Sequence, residues 1–284
     1  MQRRTGTLAT LVAFAAAALT ISASGVAGPD PTDAAATAQA PIPPGANDFS
    51  CDPPARHPQP VVLAHGTGGD RSNWSFMAPR FAAEGYCVFA LNYGNFGRRA
   101  IPKSARELRA FVHRVLRATG ASKVDIVGHS QGSMMPRYYA KFLGGNQDIS
   151  DLVGLAPPNH GTTTPLAPIV GGTGECRACA QQVRGSRFMR RLNRGDDTPG
   201  PIDYTVVTTR YDEVVTPYTS GYLDGRPAEP DGPKVNNVLL QNRCPQEVVE
   251  HNQMAGDPVA YQWAENALGR DGPARESLRP DCPA

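Results

Sequence analysis

No hydrophobic run in this chain is long enough to cross a bilayer. A span needs about 20 predominantly apolar residues, and the stretch from Leu8 to Ile21 is shorter and dominated by alanine. That length argues against an integral membrane anchor, and none is expected. Behind Met1, Gln2, Arg3 and Arg4, the stretch reads instead as the apolar region of a secretory signal. Small residues at Gly25 and Ala27, or at Ala38 and Ala40, offer two cleavage positions, so signal and leader are expected over residues 1–40, with the cut after Ala27 or Ala40. The flanks of Arg3-Arg4 do not strengthen a twin-arginine reading, and the general secretory route is expected.

An excess of charge is missing too. Lysine and arginine number 28 against 26 acidic residues, a net charge of +2. A balance this close leaves no electrostatic drive toward nucleic acid or an anionic membrane surface. Metal-ligand patterns are equally sparse: Cys176-Arg-Ala-Cys179 has no second cysteine or histidine pair at zinc spacing. Nor is it expected to open a helix after a thioredoxin-like strand, so a local structural disulfide is the better reading. The six cysteines, Cys51, Cys87, Cys176, Cys179, Cys244 and Cys282, are an even set suited to disulfides in an exported chain. Six allow 15 pairings. There is no internal repeat and no sign of a second domain.

What is present fits one large domain over residues 41–284. Residues 28–48 are rich in Ala, Pro, Thr and Asp and read as an extended leader, with the folded part beginning near Phe49. Val61 to Ala64 and Cys87 to Leu91 are short apolar runs of the kind found in buried parallel strands. Leu108, Phe111, Val112, Val115 and Leu116 recur at helical spacing over Ser104 to Thr119, with Gly120 placed as the C-terminal cap. A strand at Val124 to Val127 follows. Then come a helix over Gln131 to Leu143, strands at Asp151 to Ala156, Tyr204 to Thr209 and Val235 to Leu240, and a helix over Pro258 to Leu268. This alternation predicts a mostly parallel sheet with helices on both faces. Between Ala156 and Tyr204 lies a long Gly-, Thr- and Pro-rich interval with one short helix around Ser186 to Asn193, where a cap or substrate loop is expected.

Gly128-His129-Ser130-Gln131-Gly132 sits between a predicted strand and a predicted helix. In such a strand-turn-helix the glycines relieve crowding while the central serine projects above the sheet, which makes Ser130 the candidate nucleophile. Ser133, already inside the helix, reads as packing. A serine needs a base, and the base needs an orienting acid. His57 precedes the first strand and His113 lies on the helix before the elbow. His65 and His129 belong to the glycine loop and the elbow, and with His160 they are candidates for the substrate-binding wall. His251, after the last strand, follows the order nucleophile, acid, base. The acid should follow a strand between Ser130 and His251. Asp212 meets that condition, with Glu213 its nearest rival and Asp224 too far along. Attack on a carbonyl also needs two fixed donors for the oxyanion. The Gln131 N–H follows the nucleophile, and the His65-Gly66-Thr67-Gly68-Gly69 loop supplies the Thr67 N–H.

These residues resemble the class 2 lipases of secreted bacterial enzymes. The resemblance covers most of the chain after Val61. It rests on residues 65–69, on Val124 to Gly132 followed by residues 138–145, on Asp212 with Leu223-Asp224-Gly225 downstream, and on His251. It implies a minimal α/β-hydrolase fold with a small lid or none, a lipid or other carboxylic ester as substrate, and no cofactor. Two departures stand out: Ser133 occupies a position where a second glycine is common, and the interval after Ala156 is longer than in the smallest members. With the resemblance in view, the expected pairing is Cys51 with Cys87, Cys176 with Cys179, and Cys244 with Cys282. A secreted monomer is expected. Other readings are the same machinery acting on a polyester such as a polyhydroxyalkanoate or on a thioester, and a non-catalytic binding protein on the same fold. A complete set of serine, acid, base and oxyanion loop argues against the last.

Overall fold

The computed structural model describes residues 40–164, 175–225 and 234–283. The leader expected over residues 1–40, with its cleavage position after Ala27, lies outside the described residues except for Ala40. Six strands run in parallel: β1 (Val61–Ala64), β2 (Val88–Leu91), β3 (Val124–His129), β4 (Ile149–Leu155), β5 (Asp203–Thr208) and β6 (Val235–Leu239). Their spatial order is β2-β1-β3-β4-β5-β6. The continuous Val, Ile and Leu runs are buried because helices cover both faces, which a parallel sheet requires.

The helices follow from local signals. Helix α1 (Met77–Ala83) buries Met77, Ala78 and Phe81. Helix α2 (Ile101–Thr119) buries Ile101, Ala105, Leu108, Val112 and Val115 along one stripe and ends where Gly120 turns left-handed at φ 70°. It begins three residues ahead of the expected Ser104, because Pro102 in the first turn is compatible with a helix start. Helix α3 (Gln131–Phe142) is buried on every side through Ala140, including Arg137. Within the long interval, α4 (Arg177–Gln182) and α5 (Arg187–Leu192) form. The final helix α6 (Pro258–Leu268) is capped by Asp257, whose carboxylate accepts from the Ala260 N–H at 2.6 Å. Among the described residues no helix is long and apolar enough to cross a membrane.

Two expectations change. The ordered chain begins before Phe49: the Asn47 N–H donates to the Val88 carbonyl at 2.8 Å, and the Asn47 side chain binds both polar backbone groups of Ala90. The cause is β2, an edge strand whose free backbone groups this segment satisfies. Cys176, in turn, does open a helix, α4, with its sulfur accepting from the Cys179 N–H at 3.1 Å. The two cysteines are nevertheless disulfide-bonded, as are Cys51 with Cys87 and Cys244 with Cys282.

Arg137 explains how the long interval is held. Its guanidinium is 1% exposed and donates to the Asp197 carbonyl at 2.9 Å, the Asn159 carbonyl at 3.1 Å and Asn193 Oδ1 at 2.8 Å. Burial pulls its pKa down to about 10, which still leaves it charged at neutral pH. One turn further, Lys141 Nζ donates to the carbonyls of Leu192, Arg194 and Asp196 around the end of α5.

Candidate active site

The elements present their chemistry along one edge of the sheet. The loop after β1, the turn after β3, the loop after β5 and the segment after β6 all leave the carboxyl ends of parallel strands, where this class of sheet builds its sites. Ser130 sits between β3 and α3 at φ 53°, ψ −122°, a conformation few non-glycine residues adopt. The tight turn around it is possible because the residues two before and two after it, Gly128 and Gly132, carry no side chain. A Cβ on Gly128 would lie 2.2 Å from the Gly132 carbonyl oxygen, and one on Gly132 would lie 2.0 Å from that of Ala64. The chain is therefore bent tightly against the end of β1, with the serine lifted above the sheet.

The glycine loop closes on the same point. A Cβ on Gly66 would lie 3.1 Å from Ser130 Cβ, so the backbone leading to Thr67 passes directly beside the serine. Gln131 is the first residue of α3, and its N–H has no carbonyl partner within its own helix.

His251 opens a short 3₁₀ turn, Glu250 preceding it as the cap residue. Its Nδ1 donates to Asp212 Oδ2 at 2.9 Å, with both side chains almost wholly buried. The other carboxylate oxygen of Asp212 accepts from the Val214 and Val215 N–H groups at 3.0 and 2.7 Å, so the carboxylate is clamped from two sides. Ser130 and His251 both face a cavity of about 460 Å³, together with Thr67, His129, Thr162 and Gln182. The rival acid is directed elsewhere: Glu213 shares a surface hydrogen bond with Glu250, and that bond raises the Glu250 pKa. Asp224 is exposed.

Of the three histidines expected on the pocket wall, one is there. His129 faces the cavity, and its Nε2–H donates to the His251 carbonyl at 2.8 Å, which supports the segment carrying His251. His65 turns inward because Tyr93 offers a flat partner. The two rings stack at 4.3 Å, and His65 is fully buried with Nδ1–H donating to the Gly66 carbonyl at 2.8 Å. His160 also leaves the wall, since its Nδ1–H donates to the Ser220 carbonyl at 3.1 Å and its Nε2 faces Asp197 at 3.7 Å. Burial depresses the pKa of His65 to about 4 and that of His129 to about 3, so both rings are neutral. His113 is occupied with Asp148 at 3.1 Å.

Sequence reasoning missed several wall residues: Asn73, Thr162, Val214, Cys179 and Gln182. Only the length of the interval after Ala156 signalled that some of them would come from there. Ser133 is used as expected, its hydroxyl donating to the Gly128 carbonyl at 2.7 Å inside the elbow. Among the described residues no group of three or more His, Cys, Asp or Glu side chains is arranged to hold a metal ion.

Residues 58–264 match the family model described as Lipase (class 2), and that span is well over half of the chain. The chain belongs to the class 2 lipase family. Its curated relatives include triacylglycerol lipases from Pseudarthrobacter phenanthrenivorans and Burkholderia plantarii. Each is 32% identical over 110 residues, covering 36% of this chain and 34% and 30% of the respective relative. A triacylglycerol lipase from Pseudomonas fragi is 33% identical over 86 residues, 29% of either chain. The chain thus spans about a third of the length of the curated relatives it matches. Among solved structures, Aspergillus fumigatus lipase B superposes with a TM-score of 0.69 at 20% identity, over 82% of this chain and 57% of that one. Bacillus licheniformis lipase BlEst2 in its propeptide form gives 0.59 at 15% identity, over 84% and 54%. At those identities the likeness shows the fold, and this member of the class 2 lipase family has the α/β-hydrolase fold.

Proposed function

We propose that the protein is an exported carboxylic ester hydrolase of the lipase and esterase type, working through an acyl-enzyme on Ser130. The observation that carries this reading is the buried Asp212–His251 hydrogen bond opening onto the cavity that Ser130 faces. Asp212 holds the imidazole in the tautomer that leaves Nε2 free to accept a proton. Ser130 Oγ attacks the ester carbonyl as His251 takes its proton, and the Thr67 and Gln131 N–H groups receive the oxyanion. Collapse breaks the ester bond, and His251 returns the proton to the departing alcohol. Water then repeats the sequence on the acyl-serine and releases the acid.

An apolar ester fits the surroundings. The large apolar side chains exposed among the described residues are Ile42, Tyr211, Val214 and Val248. Three of the four lie next to Asp212 or just ahead of His251 in the chain. Export is supported by the charged N-terminus with its apolar run and by three disulfides, which persist in oxidising compartments.

Purified protein assayed on p-nitrophenyl esters of graded acyl length, and then on a triglyceride emulsion, tests the reading. Hydrolysis with an optimum chain length is expected. Absence of activity on every ester would overturn it in favour of a binding role.

A further inference from the structure

The two proposed oxyanion-donor residues belong to a closed set of three side chains. Gln182, 7% exposed at the end of α4, donates from Nε2 to Thr67 Oγ1 at 3.0 Å and to Gln131 Oε1 at 3.2 Å. The Thr67 hydroxyl donates to the same Gln131 Oε1 at 3.0 Å. Gln131 Nε2 in turn donates to the Gly97 carbonyl at 3.0 Å. The side chains of both donor residues are thus tied to each other and to Gln182, which belongs to neither the elbow nor the glycine loop.

Helix α4 is too short to persist on its own. Four constraints hold it. The Cys176–Cys179 disulfide closes its first turn. The Ala178 N–H donates to the Arg98 carbonyl at 3.1 Å, and the Ile101 N–H donates to Gln181 Oε1 at 2.7 Å. At the far end the Thr162 N–H donates to the Gln182 carbonyl at 2.9 Å. Thr162 Oγ1 continues to the Val214 carbonyl at 2.7 Å, on the loop that clamps Asp212.

From this geometry we propose that Gln182 is a positioning residue of the oxyanion hole, and that the Cys176–Cys179 disulfide keeps it in place. The proposal rests on the reading of Thr67 and Gln131 as oxyanion donors. An oxyanion hole lowers the barrier because its donors are fixed before charge develops, so freedom in the Thr67 loop must be removed in advance. Gln182 removes it by fixing the Thr67 rotamer through its hydrogen bond to Oγ1. The disulfide restricts the unfolded alternatives of a helix that its own hydrogen bonds would not hold. The cost of losing either should fall on the chemical step and not on substrate affinity.

The test uses the full chain with a soluble p-nitrophenyl ester. Gln182→Met keeps length and flexibility but removes the donor; kcat should fall about 10-fold or more with KM within twofold. Gln182→Glu places an ionised acceptor among acceptors and should lose at least as much at pH 8. Its activity relative to the unaltered protein at the same pH should recover as the pH falls to 5, because the protonated carboxyl can donate again. A merely structural role would not produce that recovery. The double variant Cys176→Ser/Cys179→Ser should lower kcat in the same way, and by less than twofold when Gln182→Met is already present. A Gln182→Met kcat within twofold of the unaltered protein, a loss confined to KM, or a Gln182→Glu deficit independent of pH would overturn the proposal. Full independence of the disulfide and Gln182 effects would overturn its second half. If Gln182→Met fails to fold, the pH series on Gln182→Glu and the cysteine variant decide. Ser130→Ala measured alongside separates the two levels: an inactive Ser130→Ala with an unaffected Gln182→Met refutes only this inference, whereas an active Ser130→Ala refutes the reading beneath it.

Discussion

Single residues divide sharply into those whose placement was legible in the sequence and those whose placement depends on distant partners. Asp212 and Glu213 are adjacent carboxylates, yet one is clamped by two backbone N–H groups beneath His251 and the other is at the surface with Glu250. Asp212→Asn should therefore lower kcat by up to about 10⁴, because an amide favours the wrong imidazole tautomer. Glu213→Gln should change it less than twofold, and steady-state kinetics on one ester compares the two directly. The placement of Ser130 and His251 around one cavity, with Asp212 bonded to His251, could be anticipated because flanking glycines and chain order are properties of the sequence. The settings of His65 and His160 were not, since both depend on partners distant in the chain, Tyr93 in one case and Asp197 with Ser220 in the other. Arg137 escaped for the same reason: a basic residue on a predicted helix reads as exposed until the carbonyls that surround it are known.

Among the elements, the strands were the most legible, because a buried parallel strand is an uninterrupted apolar run whichever neighbours it pairs with. Their ends were read less well: β4 begins at Ile149, two residues ahead of expectation, where its pairing with β3 already starts at Val124. Helices α4 and α5 lie in a stretch without periodicity, and they owe their place to Arg137, Lys141 and a disulfide more than to propensity. One disulfide also ties together segments that lie far apart in the chain. Cys244–Cys282 closes 38 residues between the segment after β6 and the chain beyond α6. A loop of that length is worth about 4 kcal/mol in the chain-entropy account. Cys244→Ser/Cys282→Ser should lower the Tm by roughly 8–16 °C at about 2–4 °C per kcal/mol, measured by calorimetry, while the secondary structure seen by circular dichroism stays in place.

For the whole molecule, buried titratable groups set the pH range of stability. Asp125 and Asp151 lie buried on neighbouring strands, with Asp125 Oδ1 accepting from the Asp151 N–H at 3.2 Å. Burial raises both well above the ordinary carboxylate range, helped by the charge of Asp203 at both and by that of Asp125 at Asp151. A raised carboxyl pKa means that the folded chain holds protons the unfolded chain has released, so stability falls as pH rises above about 4 and continues to fall past neutrality. His65 and His129 act in the opposite direction: they stay neutral when folded, and stability falls as pH drops below about 6.5. Above that value the histidines no longer contribute a slope and the carboxyls act alone. The Tm should decline between pH 6.5 and 8.5, and Asp151→Asn should raise the Tm at pH 8.5 more than at pH 5; an equal effect at both would contradict the burial account. The central claim is catalytic, and it turns on one oxygen atom. Turnover of a p-nitrophenyl ester by Ser130→Ala, with the fold checked by circular dichroism, tests it most directly. The account predicts kcat at or below about 10⁻³ of the unaltered protein, because no acyl-enzyme can form. Retention of more than a few per cent of turnover by a folded Ser130→Ala protein would contradict it.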